Sequence, residues 1–141
     1  KGLEIADQEC KFLAKEADLP NHDNFKAWLS DNILSVNDRF NKHNNNYILV
    51  DGTIIAENWD SLINKNLLNF INLNEYHEKV ENTVWTGTTE LGNSTLYNCN
   101  NWNDDYSILV YGTSGNSNDL NWSDSINRTC KIKQSIYCVE Q

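Results

Sequence analysis

Four cysteines, spread over almost the whole chain, constrain the fold more than any other feature of the sequence. Cys10, Cys99, Cys130 and Cys138 include no pair with the two-residue spacing that is typical of a zinc or redox motif. An even number of widely spaced cysteines indicates two disulfides and therefore an oxidising compartment. Four cysteines allow three connectivities, and the spacing does not choose among them. The alternative is a set of reduced core cysteines in a cytosolic protein.

The hydrophobic pattern predicts an α+β fold with helices early in the chain and strands late. An amphipathic helix is expected over residues 4–17, with Cys10 on its buried side and Pro20 beyond its end. Asp51-Gly52 lies between two β-branched runs and predicts a hairpin over residues 47–56. Other strands are expected at 25–29, 83–87, 107–111 and 135–139, and short helices at 35–40 and 57–64. The rest of residues 88–129 is expected to be one long structured loop region, and such regions are usually functional.

Three short motifs resemble the C-type-lectin-like domains. They are the helix that carries the first cysteine, the strand Val84-Trp85-Thr86-Gly87, and the ending in which Tyr137-Cys138-Val139-Glu140 follows Cys130 at the family's spacing. The stretch 25–31, with Cys99-x2-Trp102, looks like the endostatin-like branch of bacterial surface proteins. The resemblance implies that residues 1–141 form a single ligand-binding domain. It also implies the disulfides Cys10–Cys138 and Cys99–Cys130.

The sequence departs from that family at the calcium and sugar site. Members that bind sugar through calcium carry a Glu-Pro-Asn or Gln-Pro-Asp triplet, whereas the single proline here is Pro20, far from the long loop region. Trp122-Ser123-Asp124 stands where the family has Trp-Asn-Asp. We therefore expect no cofactor, with calcium kept as the alternative.

Residues 93–127 have an unusual composition. These 35 residues contain nine Asn, six Ser, four Asp and three Tyr, but no Lys, Glu, Gln or Met. An AT-rich genome would raise Lys together with Asn, so codon bias alone does not account for the pattern. The composition resembles the variable region of diversity-generating-retroelement proteins, which present such a region on a C-type-lectin-like scaffold. Their diversity arises at template adenines, often in AAY codons, and changes at the first two bases of AAY cannot yield Lys, Glu, Gln, Met or Trp. Trp102 and Trp122 would then be invariant scaffold positions.

The same composition suits a binding surface. Asn and Ser offer adaptable hydrogen bonding, Tyr supplies amphipathic contact area, and Lys is depleted at interfaces. We expect a solvent-facing surface for a protein or cell-surface ligand, formed by Tyr97, Asn98, Asn100, Asn101, Asn103, Asp104, Tyr106, Tyr111, Ser114, Asn116 and Asn118. The alternative is a polar, solvated loop without a binding role. Trp28, Trp59, Trp85, Ile108 and Val110 are expected in the core.

The charge of the chain argues against several partners. A net charge of −9 and a pI near 4.6 disfavour nucleic acid and anionic membrane surfaces. No apolar run approaches the ~20 residues of a membrane span, so no membrane insertion is expected, and any export signal or anchor would lie outside this sequence. The expected location is extracellular, on a cell surface or on a viral particle. The oligomeric state is not indicated.

No catalytic residue is expected, and the chain is not predicted to be an enzyme. His22, His43 and His77 lie in separate polar stretches, and no nucleophile has an evident base. The loop carboxylates have no spacing that predicts a metal site; they are Asp104, Asp105, Asp119 and Asp124. The preferred function is therefore a ligand-binding domain with a variable surface. The alternative is an adhesin of fixed specificity, or a calcium-dependent lectin, that binds host matrix or glycans.

Overall fold

A computed structural model describes residues 2–104 and 107–141, and it confirms a mixed helix and strand fold with few, short helices. The helices are α1 (Leu3–Glu16), α2 (Val36–Arg39) and α3 (Trp59–Ile63), and a short 3-10 helix spans His22–Asn24. The strands are β1 (Phe25–Ala27), β2 (Tyr47–Ile48), β3 (Ile54–Ala56), β4 (Thr83–Trp85), β5 (Tyr111–Asn116), β6 (Ile126–Thr129), β7 (Ser135–Ile136) and β8 (Cys138–Glu140). One further helical turn, Cys99–Trp102, is described with the site.

The two ends of the chain are joined. Strand β1 pairs antiparallel with β8, and this pairing places Ala27 opposite Cys138. The predicted disulfide Cys10–Cys138 is present, with Cα atoms 5.4 Å apart, so α1 is linked covalently to the same strand. Arg39 forms an ion pair with Asp7 of α1 at 2.6 Å, which adds a charged contact across α2 and α1. The N-terminal helix is therefore held by covalent, sheet and charged contacts.

The first half of the chain follows local sequence signals. The predicted hairpin forms from β2 and β3, with Gly52 at φ +88 in its turn, where a glycine is favoured. Asn58 caps α3 by accepting a hydrogen bond from the backbone N–H of Ser61. Ser35 and Asp38 form a capping box at the start of α2, and these hydrogen bonds lower the pKa of the Asp38 carboxyl.

The second half of the chain builds a four-stranded sheet in the order β6-β5-β4-β7. Strand β5 pairs antiparallel with both β4 and β6, whereas β7 pairs parallel with β4. The strand predicted at 107–111 is wrong, because the observed strand β5 begins only at Tyr111. Residues 88–129 are also not loop throughout, since they contain β5 and β6.

The described core consists of two clusters of buried residues. Trp28 and Trp59 lie in the first and Trp85 lies in the second, as the sequence predicts. Val110 packs partly buried against the second cluster. The placement of Ile108 in the core is wrong, because its side chain is 62% exposed. That side chain precedes β5 and has no strand partner to cover it.

Disulfide Cys99–Cys130, the second predicted pair, is also present, with Cα atoms 5.6 Å apart. It joins the helical turn at Cys99 to the end of β6 and closes a loop of 31 residues. The free-thiol alternative is thus not what the structure shows. Within residues 2–104 and 107–141, no helix has the length and apolar character that crossing a membrane requires.

Candidate ligand-binding surface

Residues 93–127 are anchored to the core near both ends of the segment. Trp122 is buried, and its ring lies 4.7 Å from the ring of Trp28 and 5.6 Å from that of Tyr137. The adjacent Ser123 hydroxyl accepts a hydrogen bond from the indole N–H of Trp28 at 3.0 Å. At the other end, Cys99 is buried and bridged to Cys130. The segment is therefore a structured part of the fold rather than a solvated loop.

The helical turn Cys99–Trp102 is left-handed. Its four residues have φ values of 51, 56, 55 and 60, a region in which L-residues other than Asn are costly. Two of the four are Asn, the type that tolerates this conformation best after glycine. The turn is held from outside by the disulfide at Cys99 and by the Trp102 indole N–H, which donates to the Ser30 carbonyl at 2.9 Å. Backbone strain of this kind persists only where the surroundings over-determine it, and it clusters at functional sites.

The side chain of Asn98 caps the start of this turn. Its side-chain oxygen accepts a hydrogen bond from the backbone N–H of Asn101 at 3.0 Å, and its amide nitrogen donates to the side chain of Asn32 at 2.7 Å. The residue is only 2% exposed. The prediction that Asn98 faces solvent is wrong, because the side chain is used inside the fold to cap the turn.

Ser114, in the middle of β5, is likewise buried, with 0% exposure. It lies opposite Trp85 of β4 and Ile126 of β6, and its hydroxyl forms a hydrogen bond with the side chain of Gln134. The prediction of a solvent-facing Ser114 is therefore also wrong. Strands on both sides and a side-chain partner leave it no access to a ligand.

Two of the predicted tyrosines lie together on the surface. The backbone N–H of Thr113 donates to the Tyr97 carbonyl at 2.8 Å, and an antiparallel bridge joins Asn98 to Gly112. Tyr97 therefore lies diagonal to Tyr111 across this bridge, at about 7–8 Å in ordinary antiparallel geometry. Both tyrosine side chains are exposed.

The other predicted residues divide into two groups. Asn100 and Asn103 are exposed, and Asn101 and Asp104 half-buried, around the left-handed turn next to Tyr97. Asn116 and Asn118 are half-buried at the far end of β5, on the order of 17 Å from Tyr111 along the strand. Asn118 is used in contacts with Asn72 and Glu81. The structure thus does not bring this second pair to the tyrosines. Tyr106 lies outside the described residues.

Sequence reasoning missed the apolar part of this surface. Leu96, directly before Tyr97, is 89% exposed, and Leu109, two residues before Tyr111, is 83% exposed. We call the exposed side chains of Leu96, Tyr97, Leu109 and Tyr111 the tyrosine surface. A signal was present for Leu96, which lies in an otherwise polar stretch, where an amphipathic pattern would not bury it. Leu109 carries no such signal, because it lies between Ile108 and Val110 in an apolar run. Clustered exposed apolar side chains mark interaction sites.

All charged side chains within this segment are acidic, although Lys65, from outside it, donates a hydrogen bond to the side chain of Asn121 at 3.0 Å. The sequence has no Lys or Arg between Lys79 and Arg128. Burial, together with the neighbouring Glu90, raises the pKa of the Asp124 carboxyl, while Lys65, which pairs with Glu90 at 2.5 Å, acts in the opposite direction. Among the residues that the structure describes, no three His, Cys, Asp or Glu side chains gather as a metal site would require.

No protein-family model matches this chain, and no curated protein matches it.

Proposed function

We propose that this chain is a C-type-lectin-like domain, secreted or displayed on a cell or viral surface, that binds a protein ligand through the tyrosine surface. One observation carries the proposal. Tyr97 and Tyr111 are both exposed, and each has an exposed leucine within two residues in the sequence. The Cys99–Cys130 disulfide and buried Trp122 hold the backbone of this segment in place. Rigid aromatic side chains on a fixed backbone lose little entropy on binding.

The chemistry of the surface favours a protein over a glycan or a nucleic acid. Leu96 and Leu109 gain free energy only by burial against apolar groups, which a protein partner supplies. A phosphate-bearing partner would be repelled, since the stretch between Lys79 and Arg128 contains carboxylates and no cation. The fold family is supported by the sequence motifs, and the extracellular location by two disulfides, which persist in oxidising environments.

We further propose that a retroelement diversifies the exposed part of this segment. Exposed Asn103 lies beside the tyrosine surface at a position that can vary without disturbing the core. Asn100 is also exposed, but its φ of +56 restricts it to residues that tolerate the left-handed conformation. Trp122 cannot vary in that way because it is buried, and Gly115 cannot because an added Cβ would overlap the backbone of Trp122. Variation would thus be confined to one face of the segment.

The DNA that follows the gene tests the diversification. We expect a near-copy of the codons for residues 93–127 that differs from the gene at adenines. Differences should fall in the codons of exposed residues such as Tyr97 and Tyr111 and spare those of Trp122 and Gly115. The absence of any such copy would refute diversification and leave the binding proposal standing.

A pair of display libraries tests the binding surface itself. One library randomises Tyr97, Asn103, Leu109 and Tyr111, and a control library of equal size randomises exposed residues 48, 51 and 54 of the β2–β3 hairpin. Both are selected on yeast for binding to hen lysozyme. We expect binders from the first library only. Equal success of the hairpin library would show that the tyrosine surface has no special capacity for binding.

A further inference from the structure

A large cavity lies on a different part of the molecule from the tyrosine surface. Its volume is about 630 Å³, within the range of small-molecule sites. None of the side chains of the tyrosine surface lines it. Its walls come from α1, the β2–β3 hairpin, β4, β8 and the irregular chain from residue 71 to 82. The cavity is therefore formed where the two halves of the fold meet.

The walls of this cavity are mainly apolar. Its apolar lining includes Leu13, Leu19, Leu49, Ile71 and Leu73. An apolar cavity of this size favours a ligand that leaves water for an apolar surface. The outer wall, around Leu73, is an irregular stretch in which one isolated bridge joins Leu73 to Lys79.

The charges around the cavity disfavour an anionic ligand. Among the described residues that line it there is no Lys or Arg, whereas Glu75 and Glu140 both contribute to its lining. An anionic head group would meet carboxylates without a lysine or arginine counter-ion.

We propose that this cavity binds a largely apolar small molecule that carries no negative charge. The site is separate from the tyrosine surface, and the proposal does not depend on the protein ligand proposed there.

Nile red, a neutral apolar dye with a carbonyl acceptor, is a suitable probe for the whole chain. Fluorescence titration should show saturable binding with blue-shifted emission. Leu73→Trp, which fills the cavity from its irregular wall, should abolish this binding. Leu109→Ser, which removes an exposed leucine of the tyrosine surface, should leave it unchanged. Absence of saturable binding, binding that survives Leu73→Trp, or loss with Leu109→Ser would overturn the cavity as the site.

The charge of the ligand is tested separately. The anionic dye 1-anilinonaphthalene-8-sulfonate should bind at least about tenfold more weakly than Nile red, because its sulfonate would meet carboxylates without a counter-ion. Equal or tighter binding of this dye would overturn the exclusion of anionic ligands.

Discussion

Substitution of Gly115 by alanine should severely destabilise the protein, although it adds only one methyl group. A Cβ at this position would overlap the backbone carbonyl of Trp122 and approach the backbone nitrogen of Ser123 to 2.9 Å. Because the overlapped atoms belong to the backbone, no side-chain rotation can relieve the contact. Atoms in contact normally lie about 3.5–4.0 Å apart, so the two segments would have to separate by on the order of 2 Å.

The expected magnitude follows from the contacts that this separation would disturb. The backbone N–H of Asn116 donates to Asn121 at 3.1 Å, and Trp122 packs 4.7 Å from Trp28. Overpacking of a well-packed core costs about 1–3 kcal/mol, and each lost hydrogen bond adds about 1 kcal/mol. The total, about 2–4 kcal/mol, is a large share of the stability of a typical domain and corresponds to a fall in melting temperature of roughly 5–15 °C.

The assay is urea denaturation followed by tryptophan fluorescence, with Gly52→Ala as the matched control. Gly52 has φ +88 but no atom within 4 Å of the added Cβ, so alanine there should cost only about 1 kcal/mol of conformational strain. If Gly115→Ala costs no more than Gly52→Ala, then β5 does not pack against the Trp122 backbone as described. The separation of residues 93–127 into a buried face and an exposed face would then fail as well.

Four further predictions follow from the same contacts. Mass spectrometry of non-reduced peptides should pair Cys10 with Cys138 and Cys99 with Cys130, and a crossed pairing would contradict the fold. Replacing both cysteines of the first disulfide by Ser should lower the free energy of unfolding by about 5 kcal/mol, and the same change at the second by about 4 kcal/mol, because the loops that they close span 128 and 31 residues. The tyrosine surface should contribute little to stability. Changing its four residues together to Ser should lower the free energy of unfolding by no more than about 0.5 kcal/mol per site, whereas Trp85→Ala should lower it by about 3–5 kcal/mol in the same denaturation assay. Similar losses from the two changes would show that the tyrosine surface is part of the packed fold. The raised pKa of Asp124 means that its ionised form destabilises the fold, so Asp124→Asn should raise the melting temperature at pH 7. This gain should vanish below the ordinary pKa of 3.8, where Asp124 is protonated in both the folded and the unfolded state. A gain that persists at about pH 3 would be inconsistent with this prediction. Finally, EDTA should change the melting temperature by no more than about one degree, while stabilisation by several degrees in millimolar calcium would favour the lectin alternative.

Much of the framework could be predicted because its signals are local. The spacing of apolar residues around Cys10 predicts α1, and Asp51-Gly52 predicts the hairpin, since both depend on residues within one or two turns of each other. Trp28, Trp59 and Trp85 are large apolar side chains in apolar stretches, so their burial follows with little knowledge of the fold. The resemblance then supplied the disulfide pairing, which no local signal contains.

The candidate surface shows where sequence reasoning ends. Composition marked residues 93–127, yet it could not separate buried Asn98 from exposed Asn100, two residues of the same type in one polar stretch. The run Ile108–Val110 has strand-like residue types, but the observed strand instead uses Gly112, Ser114 and Gly115. The two glycines are required because an added Cβ would meet the Trp85 ring and Cys99 at Gly112 and the Trp122 backbone at Gly115.

The sequence alone therefore determined which segments form short helices and turns, which tryptophans are buried, and which part of the chain has the composition of a binding surface. The tertiary structure alone decided which faces of that segment are open to a ligand. The physical reason is that burial at Asn98 and Ser114 is imposed by partners far along the chain, Asn32 for the first and Trp85 for the second. Propensity and periodicity depend on neighbours in the sequence. They carry no information about contacts between residues that lie far apart in the sequence and meet only in the complete fold.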